Sequence, residues 1–259
     1  MAEDQIVYVA VIPQDSLDDE LAKAVAEVVG KAPYETRLLL VGVIPRIVAR
    51  CRGASEADSA AKRLRGLGLT AIVSSEAELR GPSRGFRAQT IDFGEGEVAF
   101  HRGDGGERKL RAGDVFLIIR GIMQTYMEEE TVKTGVKLNK GATVMLGGIP
   151  VFRKTKDKSK SPPLQTEWFL RLYGRQSSDP AVELRQLDID YSFMGAGTSP
   201  SSLTNFTAVI DNVKKMFPQA IFDERLMKSF GTDIPATTFE DDLEINCRLI
   251  YFQHLPRGG

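Results

Sequence analysis

The sequence is poor in the residues on which most hydrolytic and metal-dependent enzymes rely. It has 2 histidines and 2 cysteines in 259 residues. Few residues are therefore available to form a histidine-based triad or a multi-histidine metal site. Cys51 and Cys247 are too few for a disulfide framework, or for a zinc site without other ligands. We expect reduced thiols, no cofactor and no bound metal, and structural or surface roles for His101 and His254.

Long apolar runs and an excess of charge are absent as well. No run approaches the roughly 20 residues that span a bilayer, and the acidic start, MAEDQIVYVAVI, is unlike a secretory signal. We therefore expect a cytoplasmic protein without a membrane partner. Because the net charge is -1, no global field attracts nucleic acid or a membrane, and a partner has to be recognised by a local patch.

The composition is that of a globular protein, and the length exceeds the usual size of one hydrophobic core. Hydrophobic residues make up 42% of the chain and charged residues 27%. Two domains are therefore expected. The polar stretch ELRGPSRG is typical of a linker. We predict an α/β domain over residues 1–80 and a β-rich domain over residues 86–259.

The first 80 residues alternate between strand and helix signals. Ile6 to Ile12 is a short β-branched run that stops at Pro13. Apolar residues then recur at helical spacing until Gly30, and Pro33 can open a second, short helix. A strand, a third helix and another strand follow. The predicted order is β-α-α-β-α-β.

These residues resemble a known fold. The runs VYVAVI, AVAEVVGKAPYETRLLL, PRIVARC and ASEADSAAKRLRGLGLTAIVSS are similar, in pattern and element order, to the fold shared by the N-degron adaptor of the Clp protease and the C-terminal domain of the ribosomal stalk protein. The resemblance covers residues 5–76, under a third of the chain, and its most specific part ends at Ser74. The C-terminal part of the chain is not recognised as a member of a family.

The resemblance implies a fold and a partner-binding role. In the adaptor, an Asn-Asp-Asp loop and a histidine capture the amino terminus of a substrate. This sequence has Pro-Gln-Asp-Ser at residues 13–16 and no histidine near the second helix, so it departs from that pattern. The resembled folds bind partners through nearby faces. We therefore predict a partner-binding surface on the second helix and the strand after it, comprising Tyr34, Arg37, Arg46 and Arg50.

The second part of the chain has a β pattern with one long helix. Two glycine-rich turns, at residues 94–96 and 103–106, separate strands of an antiparallel meander. Further strands are predicted at residues 142–147, 149–153, 167–173, 182–191 and 244–252, and the helix at residues 200–217. We therefore predict an α+β protein in which a small β-α-α-β-α-β domain precedes a larger, mainly antiparallel β domain.

The segment from Asp188 to Ser199 offers an alternative site. A strand with Asp188 and Asp190 on one face enters a loop with Gly195 and Gly197, and that loop opens the long helix at Thr198 or Ser199. Unpaired N–H groups at a helix start can hold a phosphate or carboxylate. The two carboxylates could equally hold a metal or move protons. Turn formation, helix capping and a solvated strand face explain the same residues.

Two smaller features have alternative explanations. The basic loop at residues 153–160 could contact phosphates, but no aromatic residue is interleaved to stack on bases, so we expect no nucleic-acid partner. Cys51 lies between Arg50 and Arg52, which could lower the pKa of its thiol. A small buried cysteine at a strand end is the commoner case.

The functional hypothesis follows from the missing catalytic residues and from the resemblance. We favour a non-catalytic adaptor or scaffold that binds another protein, whose identity the sequence does not specify. The alternative is a small-molecule- or phosphate-binding C-terminal domain, with or without catalysis, that uses the loop at residues 188–199.

Overall fold

The computed structural model describes residues 5–14, 17–126, 136–138, 152–154, 164–227 and 238–255. The chain divides into two compact units, the first formed by Met1–Gln124 with Thr166–Gly259 and the second by Thr125–Gln165. In the second unit, two short strands, Val136–Leu138 (β9) and Phe152–Lys154 (β10), pair antiparallel. The predicted strand at residues 142–147, the first part of the strand at 149–153 and residues 155–160 of the basic loop lie outside the described residues.

The helices of the first unit are Asp19–Val29 (α1), Pro33–Leu40 (α2), Ala54–Gly66 (α3), Glu76–Arg80 (α4), Ser202–Met216 (α5) and Glu240–His254 (α6). Its first strands are Ile6–Val11 (β1), Arg46–Arg52 (β2), Ala71–Ser75 (β3), Phe86–Ala88 (β4), Thr90–Phe93 (β5), Glu97–His101 (β6) and Glu107–Arg111 (β7). The later strands are Leu117–Tyr126 (β8), Leu164–Tyr173 (β11), Val182–Arg185 (β12), Ile221–Leu226 (β13) and Thr238–Phe239 (β14); β8 and β11 each extend a few residues into the second unit. This mixture confirms the α+β class.

The predicted β-α-α-β-α-β order of the N-terminal region is confirmed. Its strands form an antiparallel sheet in the order β2-β1-β3, which we call the small sheet. Helix α1 begins where Asp18 accepts a hydrogen bond from the backbone N–H of Leu21, and it ends at Gly30, whose φ of 66° suits glycine. Apolar residues of α1 and α3 pack on one face of this sheet.

A six-stranded sheet, which we call the large sheet, forms the centre of the first unit. Its order is β13-β8-β11-β12-β4, with β14 also paired to β8. The pairs β13–β8 and β12–β4 are parallel, and β11–β12 is antiparallel. Strand β12 ends at Arg185, so the strand predicted over residues 182–191 is too long.

One face of the large sheet is covered by α5 and by the meander β5-β6-β7. The meander is antiparallel, as predicted from its glycine-rich turns. The helix predicted over residues 200–217 runs over Ser202–Met216 and buries Phe206, Val209, Ile210 and Val213 in this core. Its apolar spacing of three and four residues predicts that buried face.

The strand that the sequence predicts at residues 244–252 is wrong, because these residues belong to the helix α6. It lies between the two sheets. Cys247, Ile250 and Tyr251 pack on the large sheet, whereas Ile245 and Leu249 face the small sheet. A helix with both sides buried is apolar around most of its circumference, so periodicity does not distinguish it from a buried strand.

Helix α6 also joins the two predicted domains in one core. Leu249 packs with Tyr8, Ile72 and Leu79, and these residues lie on the two sides of the boundary predicted between residues 80 and 86. That boundary stays a prediction. Within the described residues, no helix is both long enough and apolar enough to cross a membrane.

Gly121 on β8 lies close to side chains of the two strands that flank β8 in the large sheet, β11 and β13. A Cβ atom there would lie 2.6 Å from two ring carbons of Phe169 and 2.7 Å from the Cβ of Leu226. Because both neighbours are buried, we expect Gly121→Ala to lower the free energy of unfolding by about 1–3 kcal/mol. Urea denaturation measures this change.

The matched control for this substitution is Gly113→Ala. A Cβ atom at Gly113 would meet nothing within 4 Å, so the control should stay within about 0.5 kcal/mol of the parent protein. Equal stability of the two variants would show that the packing at Gly121 is not tight.

Candidate functional site

Helix α2 exposes an apolar stripe to solvent. Tyr34 is 72% exposed, Leu38 59% and Val41 37%. Tyr34 and Leu38 lie one helical turn apart on one face of α2, and Val41 directly follows the last helical residue. The opposite side of the helix buries Thr36 and Leu40. Exposed apolar residues that line up in this way are typical of protein-binding surfaces.

The four residues that the sequence predicts for partner binding lie on two neighbouring elements. Tyr34 and Arg37 are on α2, and Arg46 and Arg50 are exposed on β2, which contacts α2. Arg37 is held by an ion pair with Asp19 of α1. Sequence reasoning missed Leu38 and Val41, because a leucine-rich run does not show which of its residues face the core.

Strand β2 borders a groove that we call the basic groove. It has a volume of about 800 Å³ and lies between the end of α1, β2 and α3. Four cationic residues line it: Lys31, Arg50, Arg52 and Arg63. The same lining contains small and apolar residues, namely Val28, Val29, Ala49, Cys51 and Ala60, and one acid, Glu56. Of the four cations, the sequence predicted Arg50 alone.

Cys51 in this groove is not an activated thiol. Its side chain belongs to the core beneath the small sheet. Burial, and then the nearby carboxylate of Glu56, raise the pKa of the Cys51 thiol. The flanking arginines therefore do not produce the lowered pKa that the sequence allowed. Cys247 is also buried and free, and burial raises its pKa to about 12.

The loop at residues 188–199 uses its carboxylates internally. Asp188 lies after the end of β12 and forms an ion pair with Arg87 of β4. Asp190 caps the short 3-10 helix Tyr191–Gly197 by accepting a hydrogen bond from the backbone N–H of Ser192 at 3.0 Å. The prediction that Asp188 and Asp190 share one face of a strand is therefore wrong, because both residues lie beyond the end of β12.

The remaining predicted residues of that loop shape the approach to α5. Gly195 adopts φ 56° within the 3-10 helix, and Gly197 is its last residue. The hydroxyl of Thr198 donates to the carbonyl of Gly195 at 2.9 Å. The side-chain amide of Asn205 accepts a hydrogen bond from the backbone N–H of Ser199 and donates one to the backbone carbonyl of Ser199. Ser201, rather than Thr198 or Ser199, caps α5. Ligand binding here stays a prediction.

Buried ion pairs connect the large sheet with α6. Arg171 on β11 is directly opposite Glu183 on β12, and its guanidinium lies 2.8 Å from that carboxylate and 2.8 Å from Glu244 of α6. Arg185 lies 2.5 Å from Glu183 on its other side. The four side chains border a cavity of about 390 Å³ with Arg87. Burial would raise the pKa of Glu183, but Arg171 and Arg185 lower it.

A second, partly buried cluster contains the histidine of α6. His254 Nε2 lies 2.8 Å from Asp223 Oδ2 on β13, and Arg225 lies 2.5 Å from the same oxygen. Arg225 also donates to the carbonyl of Val43 and to the side chain of Gln253. Burial opposes ionisation of Asp223, but the hydrogen bonds from His254 and Arg225 prevail and hold its pKa well below the ordinary value. The predicted structural role of His254 fits these contacts.

Comparison with known proteins adds no family to these observations. No protein-family model, curated protein or solved structure matches this chain. In the part of the chain that the structure describes, no three His, Cys, Asp or Glu side chains converge as a metal site requires.

The lowered pKa of Asp223 makes stability depend on pH. A carboxylate whose pKa falls on folding stabilises the protein fully above its unfolded pKa of about 3.9, and this contribution is lost as the pH falls below that value. We expect Asp223→Asn to lower the free energy of unfolding by about 1.5–3 kcal/mol at pH 7, because charged hydrogen bonds to Arg225 and His254 are lost. The deficit should shrink in acid. Urea denaturation across the pH range measures it.

Asp211→Asn is the control for this prediction. Asp211 is exposed on α5, so its substitution should leave the pH profile of the parent protein unchanged. A deficit in Asp223→Asn that stays constant from neutral to acidic pH would contradict the electrostatic explanation.

Proposed function

We propose that this protein acts in the cytoplasm as a non-catalytic adaptor or scaffold that binds another protein through the surface of α2 and β2. The observation that supports the proposal most is the apolar stripe of Tyr34, Leu38 and Val41. These three are half of the large apolar side chains exposed among the residues that the structure describes; the others, Leu187, Leu203 and Ile221, lie in three different parts of the chain.

The charges beside this stripe favour a protein partner. Arg46 and Arg50 are exposed on β2, next to the helix that bears the stripe. Protein interfaces combine an apolar centre, in which aromatic residues and arginine are enriched, with a polar rim. Tyr34 and Leu38 would form the centre, and the arginines of β2 would form part of the rim. The resemblance to the Clp adaptor and stalk-protein fold stays a prediction that agrees with this role.

The test is affinity purification of the tagged full-length protein from its native host. We expect a stoichiometric protein to co-purify with the parent chain, and we expect the double variant Tyr34→Ser with Leu38→Ser to lose it. Removing apolar anchors from the centre of an interface typically costs about 2 kcal/mol or more of binding energy each. Quantitative mass spectrometry of the eluates measures the loss.

Leu203→Ser is the matched control, because Leu203 is an exposed leucine on α5, 40% exposed. The control should retain the partner. All these side chains are exposed, so the variants should unfold within about 0.5 kcal/mol of the parent. A partner that remains bound to the double variant would show that α2 is not the binding surface.

A further inference from the structure

The backbone of β2 presents hydrogen-bonding groups on its outer edge. The N–H of Gly53 donates to the carbonyl of Gln5, toward the strand β1, whereas the N–H of Arg52 donates to the side chain of Glu56 at 2.8 Å. In an antiparallel pair, residues that bond to the neighbouring strand alternate with residues that point away from it. Arg50, two residues before Arg52 and opposite Tyr8, therefore also directs its N–H and carbonyl away from β1.

This edge of the small sheet is open among the described residues. β2 is the outer strand in the order β2-β1-β3, and its one strand partner in that order is β1. The carboxylate of Glu56 already occupies the N–H of Arg52. The groups that this edge offers to a further strand are therefore the N–H and carbonyl of Arg50, and not the N–H of Arg52.

The cations of the basic groove form no ion pairs within the described chain. Lys31, Arg50, Arg52 and Arg63 are exposed, and none of the four forms an ion pair with a described residue. Arg37 on the adjacent helix, in contrast, is paired with Asp19. Four unpaired cations around a single acid, Glu56, leave the groove with an excess of positive charge.

We propose that the outer edge of β2 accepts an extended, acidic peptide segment of the partner protein as an additional strand, whose carboxylates the basic groove neutralises. In this mode main-chain hydrogen bonds provide affinity and side-chain contacts provide specificity. Small and apolar residues such as Ala49 and Ala60 line the groove and allow close approach of alternate side chains. The inference rests on the proposed function and specifies the chemistry of the partner.

A polyanion such as single-stranded nucleic acid fits the groove less well. Its phosphates would meet the same cations, but binding of single strands also relies on aromatic rings that stack on bases. None of the groove-lining residues is aromatic. The edge groups of Arg50, in turn, match the backbone of a peptide.

The experiment measures fluorescence anisotropy with the full-length protein at an ionic strength of about 0.15 M, at which the Debye length is about 8 Å. The probe is a short labelled peptide of alternating glutamate and valine; the comparison peptides replace its central valines by proline or its glutamates by lysine. We expect the acidic peptide to bind. The proline peptide should bind at least about tenfold more weakly, because proline lacks the N–H that a strand pair needs, and the lysine peptide should not bind.

The variant Arg50→Glu tests the charge contribution at the strand edge. It should weaken binding of the acidic peptide at least about tenfold, because a like charge then faces the ligand. Lys62→Glu is the matched control: Lys62 is exposed on α3 but does not line the groove, and its reversal should change affinity by less than about twofold. Both variants should keep the circular dichroism spectrum of the parent.

Three outcomes would overturn the inference: no binding of the acidic peptide to the parent protein, equal binding of the proline peptide, or equal binding to Arg50→Glu. Displacement of the peptide by a thymidine oligonucleotide at equal concentration would show a general polyanion site instead of strand addition. A cellular partner that is lost from the Tyr34 and Leu38 double variant but retained by Arg50→Glu would leave the α2 surface in place and remove strand addition alone.

Discussion

Helix α6 lies between the two sheets of the first unit and buries apolar residues on both of its sides. Its Arg248 is 3% exposed and lies 2.8 Å from Asp179 and 3.1 Å from Glu244. It also donates to the carbonyl of Glu78 in α4, at a helix end where carbonyls lack intrahelical donors. A buried charge is tolerated only when it is paired and hydrogen-bonded. The position of α6 therefore depends on segments that are far apart in the sequence, around residues 78 and 179.

The packing of α6 decides which parts of the small sheet can meet a partner. One face of this sheet is covered by α1 and α3, and the other face by α6 with Leu79 of α4. A sheet with both faces covered offers its edges and the outer surfaces of its helices. Those are the places where the exposed stripe of α2 and the basic groove beside β2 occur, so the candidate surface follows from how the core is built.

In the large sheet, buried charges are paired between neighbouring strands and with α6. Arg171 and Glu183 are opposite each other on adjacent strands, and Glu244 reaches them from α6. Each charge thereby has an opposite charge within 2.8 Å, which offsets the cost of removing it from water. The ion pair between Arg171 and Glu244 fixes the position of α6 on the large sheet. The charged residues Arg171, Glu183 and Glu244 that border the cavity of about 390 Å³ are the members of these ion pairs, so their role there is structural.

The sequence alone determined the elements whose signals are local. Proline, glycine and apolar spacing define the N-terminal β-α-α-β-α-β order, the meander and α5, because such signals act within a few residues. Tertiary structure decided the rest. Residues 244–252 form a helix because two sheets bury both of its sides, Asp188 leaves the strand to pair with Arg87, and Leu38 faces solvent because Leu40 fills the core. Each of these outcomes depends on which distant surface covers a residue, and local patterns do not contain that information.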